Sequence, residues 1–281
     1  MGERLHVDEP MRLLAFLRRA LPGWKRTTLE QRIRAGCVRV NGATLAKNDF
    51  VSVGDEVEVV ERALADLREQ LPAGITLLYE DDELVAIDNP AGLLSVAAGG
   101  ESARTAHALV RTWLSRPRAP GRLWPVHRLD RETSGVLLLA KSTEARDVLQ
   151  ANWSEVRKTY LALVEGRPQT SSGVIEEPLW EDEQLFVHAG RGKGAKEACT
   201  RWRVIAGDSR RALLEVGLDT GRRHQIRAHL AWLGHPVVGD ARYGKKGARM
   251  MLHALRLEFP HPVEGRTVVC EAPAPREFRL G

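Results

Sequence analysis

The chain has 281 residues, with 42 Lys and Arg against 37 Asp and Glu and a formal net charge of +5. That length holds a catalytic domain with a full core plus a small accessory domain, and the basic excess favours a polyanionic partner. Cys37, Cys199 and Cys270 are odd in number and far apart, which argues against a disulfide framework and against a Cys-x-x-Cys zinc or redox site. No apolar run approaches a membrane span, and Met1-Gly2-Glu3-Arg4-Leu5-His6 lacks the apolar core of a signal peptide, so a cytoplasmic protein with no membrane contact is expected.

The first 62 residues form their own unit. Asp8-Glu9-Pro10 supplies a cap and a first-turn proline, and Leu13, Leu14, Leu17 and Leu21 recur at helical spacing, which predicts a helix from Pro10 to Leu21 ended by Pro22-Gly23. Thr27 and Glu30 fit a capping box for a second helix with Leu29 and Ile33 inward and Gly36 at its end. Val38-Arg39-Val40 alternates into the hairpin signal Asn41-Gly42, and Val51, Val53, Val57 and Val59 give more strand around a Gly54-Asp55 turn. Between residues 11 and 60 there are nine Lys and Arg against five Asp and Glu, nearly the whole net charge of the protein. Arg18, Arg19, Lys25, Arg26, Arg32, Arg34 and Arg39 lie on or beside the helices, where they can track phosphates; a plain solvated face is the alternative.

A charged stretch ending at Leu71-Pro72-Ala73-Gly74 reads as a linker over 63–74 before a catalytic domain over 75–281. Leu84 to Asp88 is a strand, Asn89-Pro90-Ala91-Gly92-Leu93 a turn, and Gly99-Gly100 and Ser115 to Gly121 are loops. Thr133-Ser134-Gly135 bends the backbone ahead of the apolar strand Val136 to Ala140, so Asp130 sits on a turn that a rigid sheet can aim. Ser142 caps a helix to about Ser154 with Ala145, Val148, Leu149 and Trp153 inward. Lys158 to Val164 and Leu213 to Val216 are strands, and Ile226, Leu230 and Leu233 mark a helix ending at Gly234. Strands and helices do not alternate regularly, which predicts an α+β fold with a mixed, largely antiparallel central sheet and flanking helices, plus the small α/β unit in front.

His127-Arg128-Leu129-Asp130-Arg131-Glu132-Thr133-Ser134-Gly135 resembles the central motif of the RluA-type pseudouridine synthases: His-Arg-Leu-Asp, two variable residues, then Thr-Ser-Gly. The resemblance continues in Asn89-Pro90-Ala91-Gly92-Leu93, where the family has Lys in place of Asn89. It extends through Lys158-Thr159-Tyr160 and Arg222-Arg223-His224-Gln225-Ile226-Arg227, where Arg223 replaces a threonine. It ends in Gly234 to Asp240 with Tyr243-Gly244. The N-terminal arrangement from Leu29 to Gly42, closed by Val53-Gly54-Asp55-Glu56-Val57, resembles the S4 RNA-binding domain. Together these imply an enzyme that isomerises uridine to pseudouridine in structured RNA, with ribosomal RNA favoured and transfer RNA the other choice, needing no cofactor and working as a monomer.

The resemblance assigns Asp130 as the catalytic carboxylate, Tyr160 as the residue stacked on the base and Arg227 as the partner of Asp130. The residue types suit those roles: a guanidinium can hold a carboxylate ionised and oriented, and a phenol offers a flat face and a hydroxyl. Arg128, Arg222 and Arg223 join the candidate RNA contacts. His224 and His229 are five apart on a helix, about 140° around it, so they do not form the adjacent-turn pair of a helix-borne zinc site. Gly190-Arg191-Gly192-Lys193-Gly194 has no Ser or Thr after its Lys and is expected to be a mobile basic loop rather than a P-loop. Two alternatives stand: a non-catalytic RNA-binding or ribosome-assembly factor on the same fold, and a glycoside-cleaving pair of Asp130 with Glu132.

Overall fold

The computed structural model describes residues 3–24, 26–34, 37–43, 45–59, 71–72, 74–97, 104–114 and 122–278. Lys25, Gly36, the side chain of Arg34, most of the expected linker and the loops at Gly99-Gly100 and Ser115 to Gly121 lie outside these residues. The chain divides into two compact units, 1–67 and 68–281.

In the first unit β1 (Glu3–His6), β2 (Met11–Arg12), α1 (Leu13–Ala20), α2 (Arg26–Arg34), β3 (Val38–Val40), β4 (Phe50–Val51) and β5 (Glu56–Val59) surround one core. Leu13, Phe16, Leu17, Leu29, Ile33, Val51 and Val57 fill it. Three expectations need correction. The first helix does not begin at Pro10, because Met11 and Arg12 pair with Val51 and Phe50 and the Leu13 amide bonds to the Asp49 carbonyl. Asp8 and Glu9 instead hold Arg19. Thr27 is not a cap, because α2 already includes Arg26, and Glu30 pairs with Arg26 and Lys47. Val53 is not strand but exposed in the turn at Gly54, and the strand after it pairs with β3 and also with β1, a strand that the period-two pattern does not reveal. Asn41 and Gly42 do adopt the positive φ values of a tight turn.

In the second unit a ten-stranded sheet runs through β6 (Thr76–Glu80), β7 (Leu84–Asn89), β8 (Trp124–Pro125), β9 (Ser134–Ala140), β10 (Arg157–Glu165), β11 (Ser172–Ile175), β14 (Thr200–Gly207), β15 (Arg211–Leu218), β16 (Leu252–Pro260) and β17 (Thr267–Glu271). The small hairpin of β12 (Leu179–Glu181) and β13 (Val187–Ala189) stands apart from it. The sheet order is β11-β14-β15-β10-β16-β9-β7-β6, with β17 beside β16 and β8 beside β9. Helices α3 (Ala106–Leu114), α4 (Thr143–Ala151) and α5 (Gln225–Trp232) complete the unit.

Every residue of β9 is buried, which accounts for its unbroken apolar run. Ser142 caps α4 by accepting from the Ala145 amide. Val148 is 43% exposed, contrary to its expected inward position, because Ala145 and Leu149 define the buried stripe and Val148 falls at its edge. Among the described strands β9 and β16 make the one parallel pair, His253 against Ser134 and Ala254 against Gly135. Gly135 is required there: its φ is +116°, and a Cβ would sit 2.2 Å from the Ala254 carbonyl oxygen. The His253 ring donates from Nε2 to the Ala272 carbonyl, so its Nδ1 accepts from Ser134 Oγ, which in turn accepts from Arg249. This chain of bonds pins the seam just past Asp130.

Candidate active site

Asp130 lies on the loop that enters β9, and three anchors fix that loop. Ser95 Oγ donates to the Leu129 carbonyl and accepts from its amide, both at 3.0 Å. Gly92 of the Asn-Pro-Ala-Gly turn donates to the Arg131 carbonyl at 2.7 Å, and the Thr133 amide closes back on the Asp130 carbonyl. His127 Nε2 accepts from the Leu138 amide at 3.0 Å while the ring stacks on Trp153. Burial, reinforced by nearby Lys158, pushes the His127 pKa down to about 4, so the ring is a neutral acceptor at physiological pH.

Arg227 projects from α5 and is 6% exposed. Its Nη1 donates to Asp130 Oδ2 at 2.9 Å. Its Nε and Nη2 form a fork on both oxygens of Asp240, at 2.7 and 2.9 Å. Burial alone would lower the arginine pKa, but the two carboxylates outweigh it and raise it above its ordinary value. Asp240 is itself buried, which would raise its pKa; Arg227 and the amides of Arg242 and Tyr243 outweigh that and hold it below the usual carboxylate range. The face of Tyr243 lies 5.3 Å from the Arg227 guanidinium carbon.

Tyr160 stands on β10 between Val216 of β15 and Ala254 of β16, beside a bulge at Thr159. Burial and the Asp130 charge raise its pKa, so the hydroxyl keeps its proton. Asp130, Tyr160, Arg227, Arg128, Arg222 and Leu218 line one cavity together with His224. A wider cleft of about 570 Å³ shares His224 and Arg227 with it and is edged by Arg223, Arg242, Lys246 and Arg249.

The structure thus brings Asp130, Tyr160 and Arg227 together, with Arg128 and Arg222 exposed at the rim. Arg223 turns instead to Glu181, with Nη1 2.5 Å from Oε1. Glu132 is exposed and lines the neighbouring clefts rather than the cavity of Asp130, so it does not form a carboxylate pair with Asp130 across one pocket. Asn89 is buried and its amide nitrogen holds the turn through the Pro90 and Leu93 carbonyls. His229 is fully buried between Thr200 Oγ1 and the Glu177 carbonyl, away from His224, whose Nε2 faces Asp130. In the loop at Gly190 to Gly194, Gly192 packs on the Trp180 indole so closely that a Cβ would lie 2.4 Å from the ring.

On the N-terminal unit Arg18 and Arg39 are exposed, Arg19 and Arg26 engage carboxylates, and Arg32 lies 4.5 Å over the Trp24 ring. Sequence reasoning gives no role to Asp240, Tyr243 or His224, although the segment carrying Asp240 and Tyr243 belongs to the resemblance. An acid thirteen residues beyond Arg227 is the available signal. The cations Arg242, Lys246 and Arg249 likewise emerge only from the structure.

Residues 83–232 match the RNA pseudouridylate synthase family model, and residues 11–57 match the S4 domain. Ribosomal large subunit pseudouridine synthase D of Nitrosomonas europaea is 34% identical over 95% of this chain and 82% of that protein. The protein of the same name from Xanthomonas campestris is 34% identical over 94% of this chain and 86% of its own length. The solved structure of human RNA pseudouridylate synthase domain containing 4 superposes with a TM-score of 0.62 at 26% identity, covering 76% of this chain and 93% of that one. No helix among the described residues is long and apolar enough to cross a membrane. The chain belongs to the RNA pseudouridine synthase family, isomerases that convert uridine to pseudouridine in RNA, and carries an S4 domain at its N-terminal end.

Proposed function

We propose that this enzyme modifies structured ribosomal RNA of the large subunit, with Asp130 as the reacting carboxylate, Arg227 as the group that orients it and Tyr160 as the face on which the uracil rests. The observation that carries the reading is the chain Asp240–Arg227–Asp130. An arginine already forked onto a buried acid presents its remaining Nη1 to Asp130 with almost no freedom to turn away. In the reaction the bond from ribose C1′ to N1 breaks, the uracil rotates while held, C1′ bonds to C5, C5 gives up its proton to solvent and N1 takes one up, so that no atom is gained or lost. The base must leave its stack to reach a recessed carboxylate, so the target nucleotide is flipped. Arg128, Arg222 and the cations of the adjoining cleft hold the flanking phosphates, and the exposed arginines of the S4 unit add affinity with little sequence information. The names of the Nitrosomonas and Xanthomonas relatives support the ribosomal target.

Pseudouridine mapping of total RNA from a strain lacking the gene, against its parent and against a strain carrying Asp130→Asn, tests the reading. One or more large-subunit sites should vanish in both mutants. Sites that persist in the Asp130→Asn strain would overturn the role of Asp130, and loss confined to transfer RNA would overturn the target.

A further inference from the structure

His224 precedes α5 with φ 52° and ψ 18°, a left-handed conformation uncommon outside glycine and costing on the order of 1 kcal/mol. The conformation sets the imidazole between Asp130 and Tyr243. Its Nε2 lies 3.7 Å from Asp130 Oδ2, and its Nδ1 lies 3.2 Å from the Tyr243 hydroxyl. A carboxylate oxygen facing Nε2 can only accept, so the imidazole proton belongs on Nε2, facing Asp130, and the Tyr243 hydroxyl donates to Nδ1. The contacts of Arg227 and His224 both fall on Oδ2; among the described residues no ion pair or hydrogen bond reaches Oδ1.

We propose that His224 is a positioning residue whose tautomer is fixed by Tyr243, and that its Nε2–H, with Arg227, occupies Oδ2 of Asp130 and leaves Oδ1 as the oxygen that reacts. This rests on Asp130 as the reacting carboxylate. The distance of 3.7 Å exceeds a hydrogen bond, and it closes when the uridine fills the cavity, as donors around a catalytic group commonly tighten in the substrate complex. The ring must be neutral to keep one nitrogen as acceptor. Burial pushes its pKa down to about 4; Asp130 pulls against this, while Arg227, Arg223 and Arg242 push the same way. Asp240 is a further charged group at this corner, beside Arg128, Arg222, Lys246 and Arg249, and its fork with Arg227 uses both its oxygens.

Three substitutions separate a donor from a backbone role. His224→Gln keeps a neutral N–H at the reach of Nε2. His224→Asn suits the left-handed backbone better but is too short to reach Asp130. Tyr243→Phe removes the proton that sets the tautomer. The probe is a ribosomal RNA transcript labelled with 5-tritiated uridine, read by tritium release under single-turnover conditions, with RNA affinity and thermal unfolding measured in parallel. The expected result is a rate at least tenfold lower for His224→Asn at unchanged RNA affinity, and a rate within about threefold of the parent for His224→Gln. Tyr243→Phe should slow the parent yet add nothing in the His224→Gln background, since the tautomer no longer exists to be fixed.

The opposite order, Asn near the parent and Gln slow, would mean that His224 serves the backbone alone and would overturn the proposal. Additive losses for Tyr243→Phe and His224→Gln would overturn it as well. A parental protein that releases no tritium from any cellular RNA would sink the functional reading itself. Parental turnover abolished by Asp130→Asn but untouched by every His224 variant would sink only the role of His224.

Discussion

The arginines of the two units sit in opposite surroundings, and the roles proposed for them differ accordingly. In the S4 unit Arg19 and Arg26 face carboxylates, but their side chains are 43% and 63% exposed. Such pairs contribute about 0–1 kcal/mol, so an arriving phosphate can displace the carboxylate at little cost. Arg227 is 7% exposed in its side chain, and its partner Asp240 is fully buried. Removing one member of such a pair leaves an uncompensated buried charge, at a cost of roughly 3–5 kcal/mol. On the proposed reading the exposed set supplies adjustable affinity, whereas the buried set supplies a fixed direction for one carboxylate.

The largest break in that comparison after loss of Asp130 is Arg227→Ala. Turnover should fall about a hundredfold or more, close to 3 kcal/mol of barrier, with RNA affinity nearly unchanged and with the fold weakened because Asp240 loses its fork. Arg227→Lys keeps the charge and restores part of the stability, but it cannot bond both acids in one plane and should stay slow. Single-turnover rates beside urea unfolding curves check both. A parental rate for Arg227→Ala would place this arginine outside the chemistry.

Buried histidines sharpen the contrast through pH. His127 titrates near 6.5 when unfolded and near 4 when folded, so between those values the unfolded chain binds the extra proton. Stability from this group is therefore intact above about pH 6.5 and falls as pH drops toward 4, by at most about 2 kcal/mol at pH 5. His224, His229 and His253 are shifted the same way and add to the slope. His127→Gln keeps an acceptor for the Leu138 amide without a titrating ring. Its urea midpoint should fall less between pH 7 and pH 5 than that of the parent; an identical fall would mean that His127 carries none of the dependence.

The exposed set predicts a smaller effect on chemistry. Deleting residues 1–62 should weaken RNA binding and flatten its salt dependence, by roughly 0.7–0.9 in slope for each phosphate that the S4 unit neutralises, while the remaining domain folds and keeps its single-turnover rate. Among the described residues each central-sheet core is built from the second unit's own side chains, which is why that unit should stand alone. An unaltered slope in the truncated protein would mean that the S4 arginines are only a solvated face.

How much of this is legible in the chain depends on whether the cause is local. The strand from Val136 to Ala140 and the cap at Ser142 are readable because an apolar run and a serine before a helix act over a few residues. The start of α1 is misread because Asp8-Glu9-Pro10 has local cap chemistry, while the pairing that actually governs Met11 and Arg12 comes from Phe50 and Val51. The motif around Asp130 points to the site. The roles of His127 as acceptor for Leu138, of Asp240 as the second anchor of Arg227 and of Tyr243 as partner of His224 depend on side chains meeting across strands and turns. No periodicity encodes those meetings.

The smallest effect belongs to Tyr160→Phe, and it is the most informative about the base. The Tyr160 hydroxyl keeps its proton, since burial and the Asp130 charge both oppose ionisation. It is therefore available as a donor and not as a base. If the ring serves mainly as a surface for the uracil, phenylalanine retains that surface and loses one neutral hydrogen bond, about 1 kcal/mol or roughly fivefold in rate. Tyr160→Leu, which removes the flat face while keeping the strand position apolar, should cost more. Single-turnover rates for the two variants against Asp130→Asn decide between the uses. A Tyr160→Phe protein as inert as Asp130→Asn would make the hydroxyl a proton donor in the isomerisation, and the phenol would then join Asp130 in the chemistry rather than serve as the surface beneath its substrate.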